Sequence, residues 1–461
     1  MKSLVTYLLV FLFALSFNVY PQTKPEIIEL YKETAKKIID SALVNREAYS
    51  LLDELCSIGP RLSGSENSIK AIHWAESKMK SLGFDKVWLQ PVMVPNWVRG
   101  NTEEAVIVSG KYKGRNLNIC ALGGSIGTPE EGITAPLFEV ETLDGIDSVR
   151  DKVKGKIVYI NEPMDESLVN TFSAYGKAVG KRVSGAIRAS RYGALAVIIR
   201  SITTKFDDVP HTGVMYYHDS IPRIPGTAAG YTDSDFLHRA ISEDPGLKLH
   251  LTLSCKTLPD AQSYNVIGEI KGSERPDEVI VVGGHSDSWD EGQGAHDDGA
   301  GCVQSIEVVD LLKRLNLQPR RTIRCVLFIN EENGSRGART YGIYSDTTKE
   351  KHIAAIESDA GGFTPRSFTV TSDSAILAKI QSWLPILNLC SIDKIEKGGS
   401  GADVNDIRKA KALIGYRPDE QRYFDFHHSA NDVVSAVNPR ELELGSAAIT
   451  ILAYLISQEG L

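Results

Sequence analysis

The 461-residue chain contains only six cysteines, Cys56, Cys120, Cys255, Cys302, Cys325 and Cys390, scattered and without a CxxC spacing. This excludes a disulfide-built scaffold and a thiolate zinc module, and leaves most of them as small core residues. After the N-terminal region no apolar run approaches the ~18 residues of a membrane helix, so no stable membrane insertion is expected. There is no Lys/Arg-rich tract either: 51 basic against 59 acidic residues give a net charge of −8, which argues against nucleic acid as a partner. Missing too are a GxxxxGK[ST] phosphate loop and a GxSxG nucleophile elbow, and Gly292-x-Gly294 lacks the third glycine of a dinucleotide fingerprint. Small solutes and another kind of chemistry remain.

What is present begins with Lys2 and the apolar run Leu4 to Phe17, followed by the polar, Pro-containing flank Asn18 to Lys24. The run is too short to span a bilayer and reads as a signal peptide over 1–21, so the chain is expected to be exported, secreted or periplasmic. Its length exceeds one ordinary core. Helices are predicted from Pro25 to about Val44 and from Ser65, a plausible N-cap, to Gly83. From Tyr264 strands and helices alternate: strands 265–271, 278–283, 322–329, 352–357 and 412–416, helices 301–315, 335–344, 374–387 and 439–457. The fold class predicted is α/β, a doubly wound, mostly parallel sheet with an inserted β-rich domain. The divisions are 22–120 for N-terminal helices and the first part of a catalytic domain, 121–258 for the insert, and 259–461 for the rest of the catalytic domain.

The chemistry lies in Gly284-His285-Ser286-Asp287-Ser288-Trp289, His296-Asp297-Asp298-Gly299 and Glu331-Glu332-Asn333-Gly334. Divalent cations that activate water need imidazole and carboxylate ligands, and two of them roughly 3.5–4 Å apart need a carboxylate to bridge them. His285 alone is a weak signal. Asp287, two residues on, strengthens it, because a carboxylate beside a ligating imidazole fixes its tautomer. Asp297, in a glycine-rich loop, can fold back to the same point and also cap the following helix. Glu331 and Glu332 end an apolar strand, where two adjacent carboxylates repel and need cations or water. One can ligate while the other takes a proton from water. Asp359 follows another strand, and His428 precedes the last helix. Their recurrence at successive strand ends, where open α/β sheets carry their sites, is the strong signal.

These residues resemble those of the carboxypeptidase Q group in the co-catalytic zinc aminopeptidase family. The resemblance runs from about residue 185 to the end, on Gly283-Gly284-His285-x-Asp287-Ser288-Trp289-Asp290, Gln293-Gly294-Ala295-x-Asp297-Asp298-Gly299, Glu331-Glu332-x-Gly334, Glu357-Ser358-Asp359-Ala360-Gly361 and Phe426-His427-His428-Ser429. It implies a zinc exopeptidase fold and two zinc ions per chain. Asp297 would bridge them, His285 and Asp359 on one and Glu332 and His428 on the other, with Glu331 as general base. It further implies a protease-associated-like insert, including Val153 to Val158 and Gly193 to Ala196, and a homodimer acting on short peptides. Ser286 and His296 depart from the family pattern, which is apolar there, and His296 is a possible extra donor. His427 competes with His428 as ligand, the spacing to Asp432 favouring His428.

Two other classes compete with a dizinc exopeptidase or dipeptidase: a single-zinc glutaminyl cyclase, and a non-catalytic binding module like the transferrin receptor ectodomain. A general aminopeptidase is the nearest alternative. For a dipeptidase, Arg417 or Arg422 is expected to hold the substrate carboxylate bidentately.

Overall fold

The computed structural model describes residues 25–461. The expected signal segment 1–21 lies outside the described residues. At the centre is an eight-stranded sheet whose order is Lys86–Val98, Lys256–Ile270, Arg321–Phe328, Arg275–His285, Lys351–Ser358, Ala412–Pro418, Pro365–Thr371, Lys394–Lys397. The four middle strands run parallel. Antiparallel pairing flanks them on both sides, so the sheet is mixed rather than mostly parallel as a whole.

The middle strands are continuous apolar runs because both faces are covered. Ile280 and Val282 pack with the helices Ala300–Arg314 and Pro439–Glu459, while Val279 and Val281 pack on the other face with Ala338, Tyr341 and Val404. The N-terminal helices Pro25–Asn45, Glu47–Ser57 and Glu66–Ser81 join the first face. Ser65 caps the third, its side chain accepting from Ser68 N at 3.1 Å.

A second eight-stranded mixed sheet takes in Glu103 to Leu253, reaching back beyond the expected boundary at 121. Its segment is not purely β-rich: the helices Thr171–Ala178, Gly180–Arg191 and Tyr231–Glu243 belong to it. Trp289, from the loop after His285, is buried in the core of this second layer, edge-to-face with Trp97 at 6.5 Å. The loop that follows the first predicted ligand is thus seated on the second sheet.

Candidate metal centre

The strand Arg275–His285 ends on His285, and the strands Arg321–Phe328 and Lys351–Ser358 end just before Glu331 and Asp359. Parallel registry brings these ends together. Asp297 enters from the turn Ala295–Gly299, where its peptide bond to Asp298 is cis. That turn sits close against the sheet because position 301 is glycine, where a Cβ would lie 1.9 Å from the Ser358 carbonyl oxygen. His428 arrives on a left-handed backbone at φ 60°.

The ligand atoms converge on Asp297. Its Oδ1 lies 3.2 Å from His285 Nε2, which is itself 3.6 Å from Asp359 Oδ1. Its Oδ2 lies 3.4 Å from His428 Nε2, which is 3.0 Å from Glu332 Oε2. One carboxylate therefore faces two donor clusters, one with each oxygen. His427 also approaches Asp297 Oδ2, at 3.9 Å, and stacks on His428 with ring centres 3.5 Å apart.

This arrangement fits divalent zinc in its donor chemistry. Imidazole nitrogens and carboxylate oxygens are zinc ligands, and Asp297 Oδ2 and Glu332 Oε1 are buried without a hydrogen-bond partner. The His285 tautomer fits as well: Nδ1–H donates to the Asp287 carbonyl at 2.9 Å, leaving the Nε2 lone pair toward Asp297 and Asp359. Burial alone would lower the His285 pKa, but Asp297 and Asp359 hold it well above the usual imidazole value, so this nitrogen calls for a cation. At His428 burial, reinforced by His427, drives the pKa well below the usual value and keeps the ring neutral.

Asp287 acts differently from the sequence expectation. Its carboxylate is 3.9 Å from His285 Nδ1, and the tautomer is set by its carbonyl instead. The carboxylate accepts from Asn330 N at 2.7 Å and Glu331 N at 3.1 Å, so it positions the turn that carries Glu331. Burial, opposed by His285 and reinforced by Asp359, Asp287 and Asp297, pushes Glu331 up to about 8. Asp298 accepts from His285 N and Gly301 N and is a structural capping group. His296 is no extra donor: its ring stacks between Phe363, at 4.2 Å, and Phe426, and its Nδ1 accepts from Gly362 N.

Several supporting residues escaped the sequence reading. Asp432 accepts from the backbone N–H of His296 and Asp297 at 2.7 and 3.1 Å and fixes the bridging loop. Arg61 is fully buried and donates to the carbonyls of Ser286, Gln293 and Gly294. Thr212 exchanges hydrogen bonds with His428, its N–H to the His428 carbonyl at 2.9 Å and its own carbonyl facing His428 Nδ1 at 3.3 Å. The Asp432 spacing was the only signal of this set visible in the sequence.

A cavity of about 350 Å³ opens on the cluster, lined by Asp297, Glu331, Glu332, Asp359 and His428 from the first layer and by Tyr175, Arg182 and Tyr216 from the second. The two arginines expected there are elsewhere. Arg417 lines a separate cavity of about 610 Å³ with Arg366 and Lys394, and Arg422 pairs with Asp425 on the surface.

Residues 265–449 match the model of peptidase family M28. Carboxypeptidase Q of Mus musculus is 35% identical over 453 residues, 97% of this chain and 94% of the relative. Carboxypeptidase Q of Homo sapiens is 34% identical over 448 residues, 96% of this chain and 92% of the relative. Among solved structures, the peptidase M28 precursor of Shewanella amazonensis superposes with a TM-score of 0.89 at 32% identity, covering 93% of this chain and 97% of that one. A zinc aminopeptidase of Bacillus subtilis shares the fold, with a TM-score of 0.63 at 22% identity over 88% of this chain and 93% of that one.

Proposed function

The chain belongs to peptidase family M28 as a carboxypeptidase Q-like zinc metallopeptidase, and on that premise we propose that it is a dizinc exopeptidase of short peptides, chiefly dipeptides with both termini free. The observation that carries this reading is Asp297, whose two oxygens face His285 and Asp359 on one side and His428 and Glu332 on the other. One zinc would be held by His285, Asp359 and Asp297, the second by Asp297, Glu332 and His428. When bound, zinc supplies Lewis acidity to the scissile carbonyl and to water.

The chain's own groups do the rest. Glu331, next to the ligands but outside both donor clusters, takes the proton of the attacking water on its carboxylate and returns it to the leaving amine. Asp287 holds the Glu331 turn through two backbone N–H groups, so that proton acceptor is fixed in place. The acidic ligand set attracts the substrate ammonium. The volume of about 350 Å³, near the lower end of ordinary ligand pockets, suits a short peptide. Export directed by residues 1–21, a protease-associated-like domain built on the second sheet from Glu103 to Leu253, and a homodimer belong to the same reading.

Purified protein should contain two zinc ions per chain by elemental analysis and cleave dipeptides. One ion per chain would favour a glutaminyl cyclase, and none a binding module. Equal kcat/KM on a dipeptide, its C-terminal amide and the matching tripeptide would leave a general aminopeptidase. Glu331→Gln should keep the zinc content and the fold while losing ~10²–10⁴-fold in kcat. Loss of an ion in that variant would reverse the roles of the two glutamates.

A further inference from the structure

Arg182 is 5% exposed, yet no carboxylate pairs with it among the described residues. It stands on the helix Gly180–Arg191 of the second layer and lines the cavity opposite the acidic cluster. Its Nη2 donates to the Tyr175 hydroxyl at 2.7 Å, and its Nε is buried without a partner. Nη1 lies 3.3 Å from His428 Nδ1. That nitrogen carries its hydrogen toward the Thr212 carbonyl whenever Nε2 is the ligating atom, so Nη1 then faces another donor. Two nitrogens of this buried guanidinium, Nε and Nη1, are left without an acceptor, and Nη1 stands beside His428. A buried cation without a counter-charge is costly, and the nearby carboxylates are committed to the zinc sites. The missing partner is an anion that comes and goes.

Resting on the peptidase reading above, we propose that Arg182 receives the C-terminal carboxylate of the substrate and thereby sets a preference for a free C-terminus. The Nη1 arm, left without an acceptor, offers a carboxylate a charge-assisted hydrogen bond and gains the counter-charge the buried guanidinium lacks. The guanidinium lies on the Nδ1 side of the His428 ring, whose Nε2 faces the Glu332 and Asp297 oxygens. Gly213 keeps the space open: at φ 130°, a Cβ there would lie 2.4 Å from Arg182 Nη1 and 2.6 Å from His428 Nδ1. Arg339 also lines the cavity but is exposed, where water already solvates its charge.

The test compares a dipeptide with its C-terminal amide on the zinc-loaded parent, Arg182→Gln, Arg182→Lys and Arg339→Gln. The parent should favour the free acid. Arg182→Gln should abolish that preference through a rise in KM for the acid of roughly 10- to 100-fold, with the amide little changed and zinc content intact. Arg182→Lys, which keeps the charge but not the planar guanidinium, should fall between. Calorimetry with a reduced-bond dipeptide analogue supplies a readout independent of turnover: the parent should bind the acid form more tightly than the amide, and Arg182→Gln should bind both alike. An unchanged acid-to-amide ratio in Arg182→Gln overturns the anchor, as does its loss in Arg339→Gln instead. An equal fall on acid and amide assigns Arg182 to supporting His428 and overturns the anchor too. A zinc-loaded parent that cleaves no peptide overturns the peptidase reading and the anchor with it, whereas an active parent with the ratio unmoved by Arg182→Gln overturns the anchor alone.

Discussion

Asp297 is the residue whose two oxygens face both donor clusters. Under the proposed reading Asp297→Ala should lower zinc affinity at both positions together, while His285→Ala should weaken mainly the one shared with Asp359. Titration of each variant with a chromogenic chelator separates these outcomes. Two ions held with parental affinity by Asp297→Ala would move the bridge to another carboxylate. At this scale the sequence was informative where an imidazole or carboxylate follows a strand, as at His285, Glu331, Glu332 and Asp359, which the structure gathers around one cavity and its rim. It was silent on groups that act through space, such as Arg61 and Arg182, because nothing in an arginine's neighbours along the chain tells which carbonyl or anion it will meet. It misled at Asp287, where residue type pointed to the carboxylate but the backbone carbonyl makes the contact.

Among elements, the regular alternation after Tyr264 was readable because strands buried on both faces must be apolar throughout and connecting helices amphipathic. The strand Pro365–Thr371 and the edge strand Lys394–Lys397 beside it were not, since they are short and mix polar and charged residues with apolar ones. The helix expected over 374–387 is divided into Ser374–Gln381 and Leu384–Leu387, with Pro385 opening the second piece. The helix Gly180–Arg191 buries Lys181, whose ammonium donates to the Glu162 carbonyl. Burial, opposed by Glu162 and aided by Arg200 and Arg182, lowers its pKa to about 7. In the unfolded chain the same group keeps its proton to roughly 10.5. Between those values unfolding takes up a proton, so the stability of the parent rises with pH, and below about 7 the cost of the buried charge is present in full. Lys181→Met removes this dependence. Its stability relative to the parent should be highest at pH 6–7 and decline toward pH 10, by about 5 kcal/mol at most. Melting temperatures of both proteins across that range check the sign, and parallel curves would place the Lys181 charge in water.

For the molecule as a whole, the decisive joint lies between the two sheets. Arg99 holds Asp290 with two nitrogens, at 2.6 and 3.0 Å, and also reaches Glu103 at 2.9 Å, Glu291 at 2.8 Å and the Ala121 carbonyl. It thus ties the end of a first-layer strand, the loop after His285 and the start of the second sheet. Arg99→Met would leave three carboxylates without their cation and should destabilise the protein by ~3–5 kcal/mol, read as a shift in the urea midpoint. A change below about 1 kcal/mol would mean that the ion pairs are worth no more than surface ones. Two layers could be foreseen from chain length and from the change of texture in the middle of the sequence. The joint could not, because Trp289 and Arg99 each complete a core or an ion-pair group assembled from distant segments.

The clasp between Thr212 and His428 gives the second layer a hold on the first layer's chemistry. His211 reinforces it by bonding the His427 carbonyl at 2.7 Å, and a short bridge joins His211 to Ser429. On the proposed reading, one donor of the second zinc is therefore tethered to the second sheet, whereas His285 and Asp359 are fixed within the first. Two ions held in this way would gauge how firmly the layers are seated: loosening between them should release the ion on His428 first, so that turnover stops before the fold is lost.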